Sequence, residues 1–289
     1  MIADQVRHRR DLRPVETLSE LDAEIRLLVG RRRELVAEQT RWIARLRDLL
    51  ASINPGLEAV VDPTQKGSLR LLSRYVTPAE IRRAGRRRLI DHIAKAGRLS
   101  RAHVEALADR ALAAAQAQTV AVPGERVAAR IVREQSGEIA AARDRIAALD
   151  TELEAALERH PDAALIRSLP GMGVALTAEL IAEAGSIERF PTPDRLAAAA
   201  GLAPVLRQSG KVRYLKRATG GNKILKRVFF QSAFCSLSHP ASKAYYRRKR
   251  AERKTHHQAV IALARRRVDV LHAMLRNREP YCPKVPLAA

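Results

Sequence analysis

The chain has 289 residues, of which 53 are Lys or Arg and 31 are Asp or Glu, so its formal net charge at pH 7 is +22. A positive surplus of this size favours nucleic acid as the partner over the small metabolites of ordinary enzymes. Aromatic residues make up only 3% of the chain, which argues against base stacking as the main mode of binding. We therefore expect contacts to the phosphate backbone.

The cysteines and the apolar runs restrict the class of protein further. Cys235 and Cys282 are the only cysteines, and their spacing suggests neither a zinc site nor a disulfide framework. No apolar run reaches the length of a transmembrane helix, and the N-terminus lacks the pattern of a signal peptide. The sequence predicts a cytoplasmic protein with no membrane partner.

Apolar stripes predict two long helices within residues 17–160. The first begins at a capping-box pattern formed by Thr17 and Glu20 and ends at Asn54-Pro55-Gly56. The second begins after Pro123-Gly124 and ends before Pro161. The two stripes could pair as an antiparallel hairpin or across a dimer interface. We assign them to assembly and predict a homo-oligomer formed through the coiled coil.

Shorter helices are expected between the two stripes. Thr77-Pro78-Ala79-Glu80 has the pattern of a helix start, and the run Ala106–Ala117 is typical of a helix. Five arginines follow the first of these starts: Arg82, Arg83, Arg86, Arg87 and Arg88. They form either a solvated helix face or a contact with phosphate or RNA.

Residues 161–279, which we call the third zone because residues 1–16 and 17–160 form the first two, are strongly basic. Between Gly201 and Arg278 the chain has 20 Lys or Arg and only two acidic residues, Glu252 and Asp269. Apolar residues with helical spacing interrupt the charges, so we predict a folded basic domain. Residues 280–289, with three prolines, are predicted to be a loose tail.

The third zone opens with the turn Leu169-Pro170-Gly171-Met172-Gly173, which has the layout of a helix-hairpin-helix turn. Amides at the start of the following helix could bind a phosphate, with Pro170, Gly171 and Gly173 as the candidate residues. The same pattern also occurs where a turn only joins two packed helices. The turn chemistry leaves both interpretations open.

A small β-hairpin is predicted farther along, with Ser209 at its tip. Gln208-Ser209-Gly210-Lys211 is a turn pattern, and Val212-Arg213-Tyr214-Leu215 alternates like a short strand. Ser-Gly is a common turn dipeptide, which favours a plain turn. A serine nucleophile would need its phosphate held, and the nearby cations could neutralise the charge that develops there: Lys211, Arg213, Lys216 and Arg217.

The third zone resembles the C-terminal transposase domain of the IS110 (IS116/IS110/IS902) family of insertion sequences, to which the Piv DNA invertases are similar. The resemblance covers residues 162–278 and rests on ordered motifs: Pro170-Gly171-Met172-Gly173, Gly201-Leu202-Ala203-Pro204, Gln208-Ser209-Gly210, Lys216-Arg217, Gly221-Asn222 and Tyr245-Tyr246-Arg247. It implies that Ser209 attacks DNA and forms a covalent phosphoserine intermediate. The DNA-binding candidates in this zone then also include Gly210, Asn222, Lys223, Lys226 and Arg227.

The start of the chain adds a second resemblance. Ile2-Ala3-Asp4-Gln5 and Arg9-Arg10-Asp11-Leu12 are similar to the segment that follows the acidic motif of a Holliday-junction-resolvase-like nuclease domain. This implies that residues 1–16 are a remnant behind a missing nuclease domain. The carboxylates for magnesium belong to that domain, so no cofactor is expected in this chain. The family also implies a guide (bridge) RNA and a place in the prokaryotic cytoplasm at the nucleoid.

The predicted fold is mainly α, with long antiparallel coiled-coil helices and a helical C-terminal domain that carries the helix-hairpin-helix-like turn and the small β-hairpin. The predicted function is that of an insertion-sequence transposase or site-specific recombinase acting on double-stranded DNA, truncated and impaired without its acidic domain. The alternative is a non-catalytic DNA- or RNA-binding protein that oligomerises through its coiled coil. The two interpretations differ in covalent chemistry at Ser209.

Overall fold

The computed structural model describes residues 19–209, 212–216 and 218–283, with the backbone alone at Arg207, Ser209 and Leu215. The protein is mainly helical, as predicted. Its described residues divide into two compact units, one containing Arg31–Leu149 and the other the residues up to Gly30 together with those from Asp150 onward. We call them the middle unit and the basic unit. No helix in the described ranges is long and apolar enough to cross a membrane.

The described elements follow one another along the chain as helices joined by short turns, with one pair of strands. The order is α1 (Glu20–Ile53), α2 (Pro55–Val60), α3 (Lys66–Leu72), α4 (Pro78–Ala94), α5 (Arg101–Ala117), α6 (Glu125–Glu158), α7 (Ala163–Ser168), α8 (Val174–Ala184), α9 (Pro193–Ala199), β1 (Val205–Ser209), β2 (Val212–Lys216), α10 (Lys223–Cys235), α11 (Pro240–Ala251) and α12 (His256–Asn277). Short 3-10 turns lie at Ile187–Arg189 and Ser236–Ser238.

The start of α1 differs in detail from the prediction. The helix begins at Glu20, and the side chain of Ser19 accepts a hydrogen bond from the Asp22 amide at 3.0 Å. Ser19 therefore caps the first turn, whereas Thr17, the predicted cap, lies outside the described residues. Serine ranks above threonine as an N-cap residue, and Ser19 lies two residues after the predicted cap.

The core of the middle unit combines segments of both long helices with α2 to α5. Leu46 and Leu50 of α1 are fully buried in the same cluster as Val132 and Ile139 of α6. Gln39 donates from Nε2 to the carbonyl oxygen of Ile139 at 3.3 Å. Within this unit the two predicted stripes thus pack into one core of the same chain.

Helix α4 confirms its predicted start and shows where some of its arginines go. Thr77 and Glu80 form a reciprocal capping box, with Pro78 at the first helical position. Arg82 donates to the carbonyl oxygens of Ala115 and Gln118, and Arg86 binds Asp109 with two hydrogen bonds of 2.6 and 3.1 Å. Two of the five arginines thus contact their own unit, and the remaining three are exposed: Arg83, Arg87 and Arg88.

The basic unit is built around α12. Its apolar residues Val260, Ala264, Val268 and Leu271 are fully buried, at the predicted helical spacing, and they share a core with Phe229 of α10. The first turns of α1 and the last turns of α6 join this core through residues such as Ile25 and Leu153. This core fixes the positions of the connections that carry the candidate site.

Candidate nucleic-acid interface

Two glycines anchor the base of the β1–β2 ribbon. The chain leaves α9 at Gly201 (φ 62°) and returns toward α10 at Gly221 (φ 91°). A Cβ on Gly221 would lie 2.6 Å from the Gly201 amide nitrogen, and a Cβ on Gly201 would lie 2.6 Å from the carbonyl oxygen of Gly220. Real side chains do not tolerate such distances, so both positions require glycine. The crossing holds the two ends of the ribbon together.

The ribbon places Ser209 at the end away from this base. β1 and β2 pair antiparallel from Val205 opposite Lys216 to Ser209 opposite Val212. At the usual rise per strand residue, Ser209 lies about 13 Å beyond Val205. Three other candidates of this region, Gly210, Lys211 and Arg217, lie outside the described residues.

The ribbon is exposed and its charges are of one sign. Arg213 and Lys216 are exposed, and no acidic residue occurs in the sequence between Pro204 and Asn222. Four large apolar side chains of the ribbon are also exposed, at 44 to 63%: Val205, Leu206, Val212 and Tyr214. A surface that is both basic and apolar is suited to contact a polyanion along its length.

Asn222 lies at the junction between the ribbon and α10, and its side chain is used inside the protein. Oδ1 accepts from the amides of Ile224 and Leu225 at 2.8 and 3.1 Å, and Nδ2 donates to Glu183 of α8 at 2.7 Å. The residue is thus a helix cap and a tie between two helices. The next residue, Lys223, is exposed at the first position of α10.

Arg227 of α10 forms an ion pair with a buried acid. Its Nη2 donates to Oε1 of Glu179 at 2.6 Å, and the Arg227 side chain remains 47% exposed while that of Glu179 is 8% exposed. Oε2 of Glu179 has no hydrogen-bond partner among the described residues. The pair orients the exposed part of the guanidinium. Lys226, one residue earlier, is half-buried.

The turn before α8 is packed at one glycine and open at the other. Gly171 has φ 83°, and a Cβ there would lie 2.5 Å from the carbonyl oxygen of Ser232. Gly173 is exposed, a Cβ there would meet nothing within 4 Å, and the residue precedes α8 without any side-chain cap. The amides of the first turn of α8 therefore lack a side-chain partner. Of the predicted turn residues, Gly173 is the one placed to leave the backbone accessible.

Arg267 of α12 holds this turn from the inside and was not among the predicted site residues. It is 4% exposed, and it donates to the carbonyl oxygen of Pro170 at 2.5 Å and to Oγ of Ser232 at 2.6 Å. Burial lowers the pKa of Arg267 to about 10. A signal was present in the sequence, because Arg267 stands at a core-facing position of the apolar repeat between Ala264 and Leu271.

The predicted site residues form two groups at opposite ends of α10. The turn contacts the C-terminal end of this helix through Gly171 and Ser232, whereas the ribbon starts from its N-terminal end at Asn222. The helix has 13 residues, so the two groups are about 20 Å apart. In the sequence these candidates follow one another between Pro170 and Arg227, and the fold separates them into two groups joined by the exposed side of α10.

Two models of known protein families match parts of this chain. The model of the family "Transposase IS116/IS110/IS902 family" matches residues 163–247, and a second model, described as "Transposase", matches residues 1–55.

Longer relatives extend the similarity to nearly the whole chain. The protein is 40% identical to the uncharacterized 44.8 kDa protein of insertion element IS116 from Streptomyces clavuligerus, over 99% of this chain and 72% of that protein. It is 42% identical to the uncharacterized 42 kDa protein of insertion element IS900 from Mycobacterium paratuberculosis, over 100% of this chain and 73% of that protein. It is also 27% identical to the pilin gene-inverting protein of Moraxella bovis, over 49% of this chain and 47% of that protein.

Proposed function

Because the chain belongs to the IS116/IS110/IS902 family of insertion-element transposases, we propose that it binds double-stranded DNA and that Ser209 is its nucleophile for recombination. The observation that carries this proposal is the position of Ser209, at the far end of an exposed basic ribbon with a rigid glycine base. A nucleophile that attacks a DNA phosphate must be within reach of the duplex, and the close glycine crossing limits the positions that the ribbon can take.

The proposed chemistry exchanges one phosphate ester for another. The Ser209 hydroxyl loses its proton, its oxygen forms a bond to the phosphorus of the scissile phosphodiester, and one bridging P–O bond breaks. The departing strand leaves as an alcohol and takes up a proton. No oxidant or nucleotide is consumed, because the phosphoserine ester conserves the bond for rejoining. Arg213, which pairs with Gln208 next to Ser209, would stabilise the negative charge on the phosphate oxygens, whereas Lys216 lies opposite Val205 at the base of the ribbon and would contact a neighbouring phosphate.

The two groups at the ends of α10 would contact the same duplex. Their separation of about 20 Å corresponds to about six base pairs of B-form DNA. The amides at the start of α8 would bind one phosphate near Gly173, and Lys223 and Arg227 would bind others along α10. These contacts are to the backbone, so they position the duplex without reading its sequence.

The family implies magnesium, and the described residues do not form a site for it. Within residues 19–209, 212–216 and 218–283 no three His, Cys, Asp or Glu side chains come together as a metal site. The acids Glu179 and Glu183 are bound to Arg227 and Asn222. We therefore assign no step of the reaction at these residues to a metal ion.

A covalent trapping experiment tests the proposal. The protein is incubated with nicked and branched DNA, denatured in detergent and analysed for a protein–DNA adduct. We expect an adduct with the native chain and with Ser238→Ala, a serine of the same unit outside the ribbon, and none with Ser209→Ala. If the native chain binds DNA and forms no adduct, the catalytic proposal fails for this chain, and the alternative of a non-catalytic DNA- or RNA-binding protein is favoured.

The remaining partners stay predictions. A guide RNA would be retained during purification and would be removed by ribonuclease with loss of DNA targeting. A homo-oligomer through α1 and α6 would give a mass above 32.0 kDa in light scattering. A location at the prokaryotic nucleoid would be seen by fluorescence microscopy of a tagged chain.

A further inference from the structure

A second basic surface lies in the basic unit, in a groove between α11 and α12. The groove has a volume of about 1390 Å³, and residues 279–283 line it together with the two helices. Its lining includes the apolar side chains of Leu263 and Val270. Three arginines also line it: Arg248, Arg266 and Arg267. None of these arginines belongs to the ribbon or to the turn, and we call this surface the α11–α12 groove.

Arg267 is a buried cation without a buried counter-charge. Its hydrogen bonds go to Oγ of Ser232 and to the carbonyl oxygen of Pro170, which are both neutral acceptors. No carboxylate among the described residues bonds to it. A buried guanidinium is normally paired with an acid because desolvation of the charge is costly. An anion in the groove would supply the missing charge.

The ring of Tyr245 contacts the guanidinium groups of two further arginines at the same groove. The Cζ atoms of Arg248 and Arg266 lie 4.9 and 5.2 Å from the centre of its ring. Lys249 also lies near the ring, but Glu252 neutralises it through a contact of 2.8 Å. Neither Arg248 nor Arg266 has a carboxylate partner within the described ranges. The ring orients both guanidinium groups and leaves their donors available.

The acids of the groove do not balance these charges. Asp269 lines the groove, but it forms an ion pair with Arg265. Glu279 is the other acid in the lining, so the three arginines exceed the acids that could neutralise them. Guanidinium groups in this arrangement match the geometry of phosphate oxygens.

We propose that the α11–α12 groove binds the phosphodiester backbone of a DNA strand, with Arg248 and Arg266 on successive phosphates and Arg267 as the charge behind them. The groove adjoins the turn before α8, since Leu169 lines the groove and Pro170 is bonded to Arg267. A strand could therefore continue from the amides near Gly173 into the groove. The inference rests on DNA as the partner proposed above and is independent of the serine chemistry.

Salt-dependent binding of a short, fluorescently labelled single-stranded DNA tests the inference. All variants carry Ser209→Ala, so that adduct formation plays no part. The double variant Arg248→Gln/Arg266→Gln is compared with Arg247→Gln/Arg276→Gln, which removes two exposed arginines from the same two helices outside the groove lining. Circular dichroism and thermal unfolding establish that both pairs fold.

We expect the slope of log K against log salt concentration to fall by about 1.4 in the groove variant, since each lost phosphate contact on a single strand removes about 0.7. The control variant should change by less than half of that amount. Modification of Arg248 and Arg266 by phenylglyoxal, followed by mass spectrometry, should also be blocked by the DNA strand in the chain with an intact groove.

Equal slopes in the two variants, or arginines that DNA does not protect, would overturn the inference and leave the role of Ser209 untouched. A different outcome is that DNA protects the groove arginines but the native chain forms no adduct. In that case the groove binds DNA and the serine mechanism is wrong.

Discussion

The backbones of Gly201 and Gly221 cross at a distance that leaves no room for a side chain on either residue. A Cβ on Gly221 would lie 2.6 Å from the Gly201 amide nitrogen and 2.9 Å from the carbonyl oxygen of Ala199. Both glycines have positive φ. This crossing is the structural reason that the ribbon bearing Ser209 leaves the basic unit at a defined point.

Replacing Gly221 by alanine should loosen the ribbon. A non-glycine residue at positive φ costs about 1–3 kcal/mol, and the contact with Gly201 adds to that cost. We expect faster proteolysis within residues 205–216 and a lower midpoint of unfolding. The neighbouring Gly220→Ala is the control, because a Cβ at Gly220 meets nothing within 4 Å. Equal proteolysis of the two variants would contradict the proposed anchor.

The turn before α8 allows packing and DNA binding to be separated. Gly171→Ala places a Cβ 2.5 Å from the carbonyl oxygen of Ser232, and we expect it to reduce the free energy of unfolding by at least about 2 kcal/mol. Gly173→Ala meets open space and should cost within about 1 kcal/mol. Urea unfolding of the two variants measures both changes in the free energy of unfolding.

For DNA affinity we expect Gly173, and not Gly171, to be the sensitive position of the turn. Gly173→Pro removes one amide at the start of α8, so we expect weaker DNA binding in the folded protein. Unchanged affinity in this variant would mean that the turn only joins two helices, the other interpretation that its sequence allows.

The pair of Arg227 with Glu179 should contribute to stability as well as to DNA binding. Arg227→Met leaves the carboxylate of Glu179 buried without its cation. Because Arg227 is half exposed, solvent screening reduces the cost below that of a fully buried pair. We expect a loss of about 1–2 kcal/mol, which Glu179→Gln should partly restore.

The matched control for this pair is Lys223→Met, an exposed cation on the same helix. It should lower the salt dependence of DNA binding like Arg227→Met, but change stability by less than about 0.5 kcal/mol. A stability loss of the same size in both variants would show that the buried pair contributes nothing specific.

The middle unit should lose stability in acid through Glu80. Burial raises the pKa of this carboxyl, but hydrogen bonds from the amides of Val76 and Thr77, together with Arg133, outweigh it and hold the pKa below the ordinary value of 4.5. A depressed pKa in the folded state stabilises the protein above the unfolded pKa, and this stabilisation is lost as the pH falls through the folded pKa.

Urea unfolding at several pH values should therefore show a drop below about pH 4.5 that is smaller in Glu80→Gln. Asp48→Asn removes an exposed carboxylate of the same unit and should leave the drop unchanged. If the native chain and Glu80→Gln showed an identical acid dependence, Glu80 would not be the cause of the loss of stability.

Local signals in the sequence predicted much of the fold. Thr77 caps its helix as expected, with Pro78 at the first helical position, because a cap depends only on residues three or four positions away. The ends of α6 agree with Pro123-Gly124 and Pro161 for the same reason. The family also followed from ordered motifs, which are a property of the chain alone.

Only the tertiary structure decided which candidate residues are exposed and which hold the protein together. Gly171 packs against Ser232, Asn222 ties α8 to α10, and Arg267 reaches the carbonyl oxygen of Pro170. Each contact joins residues that are far apart in sequence, so no periodicity or turn pattern encodes it. The net charge and the Gln-Ser-Gly motif are determined by the sequence, whereas the separation of the turn from the ribbon by the length of α10 depends on helix packing.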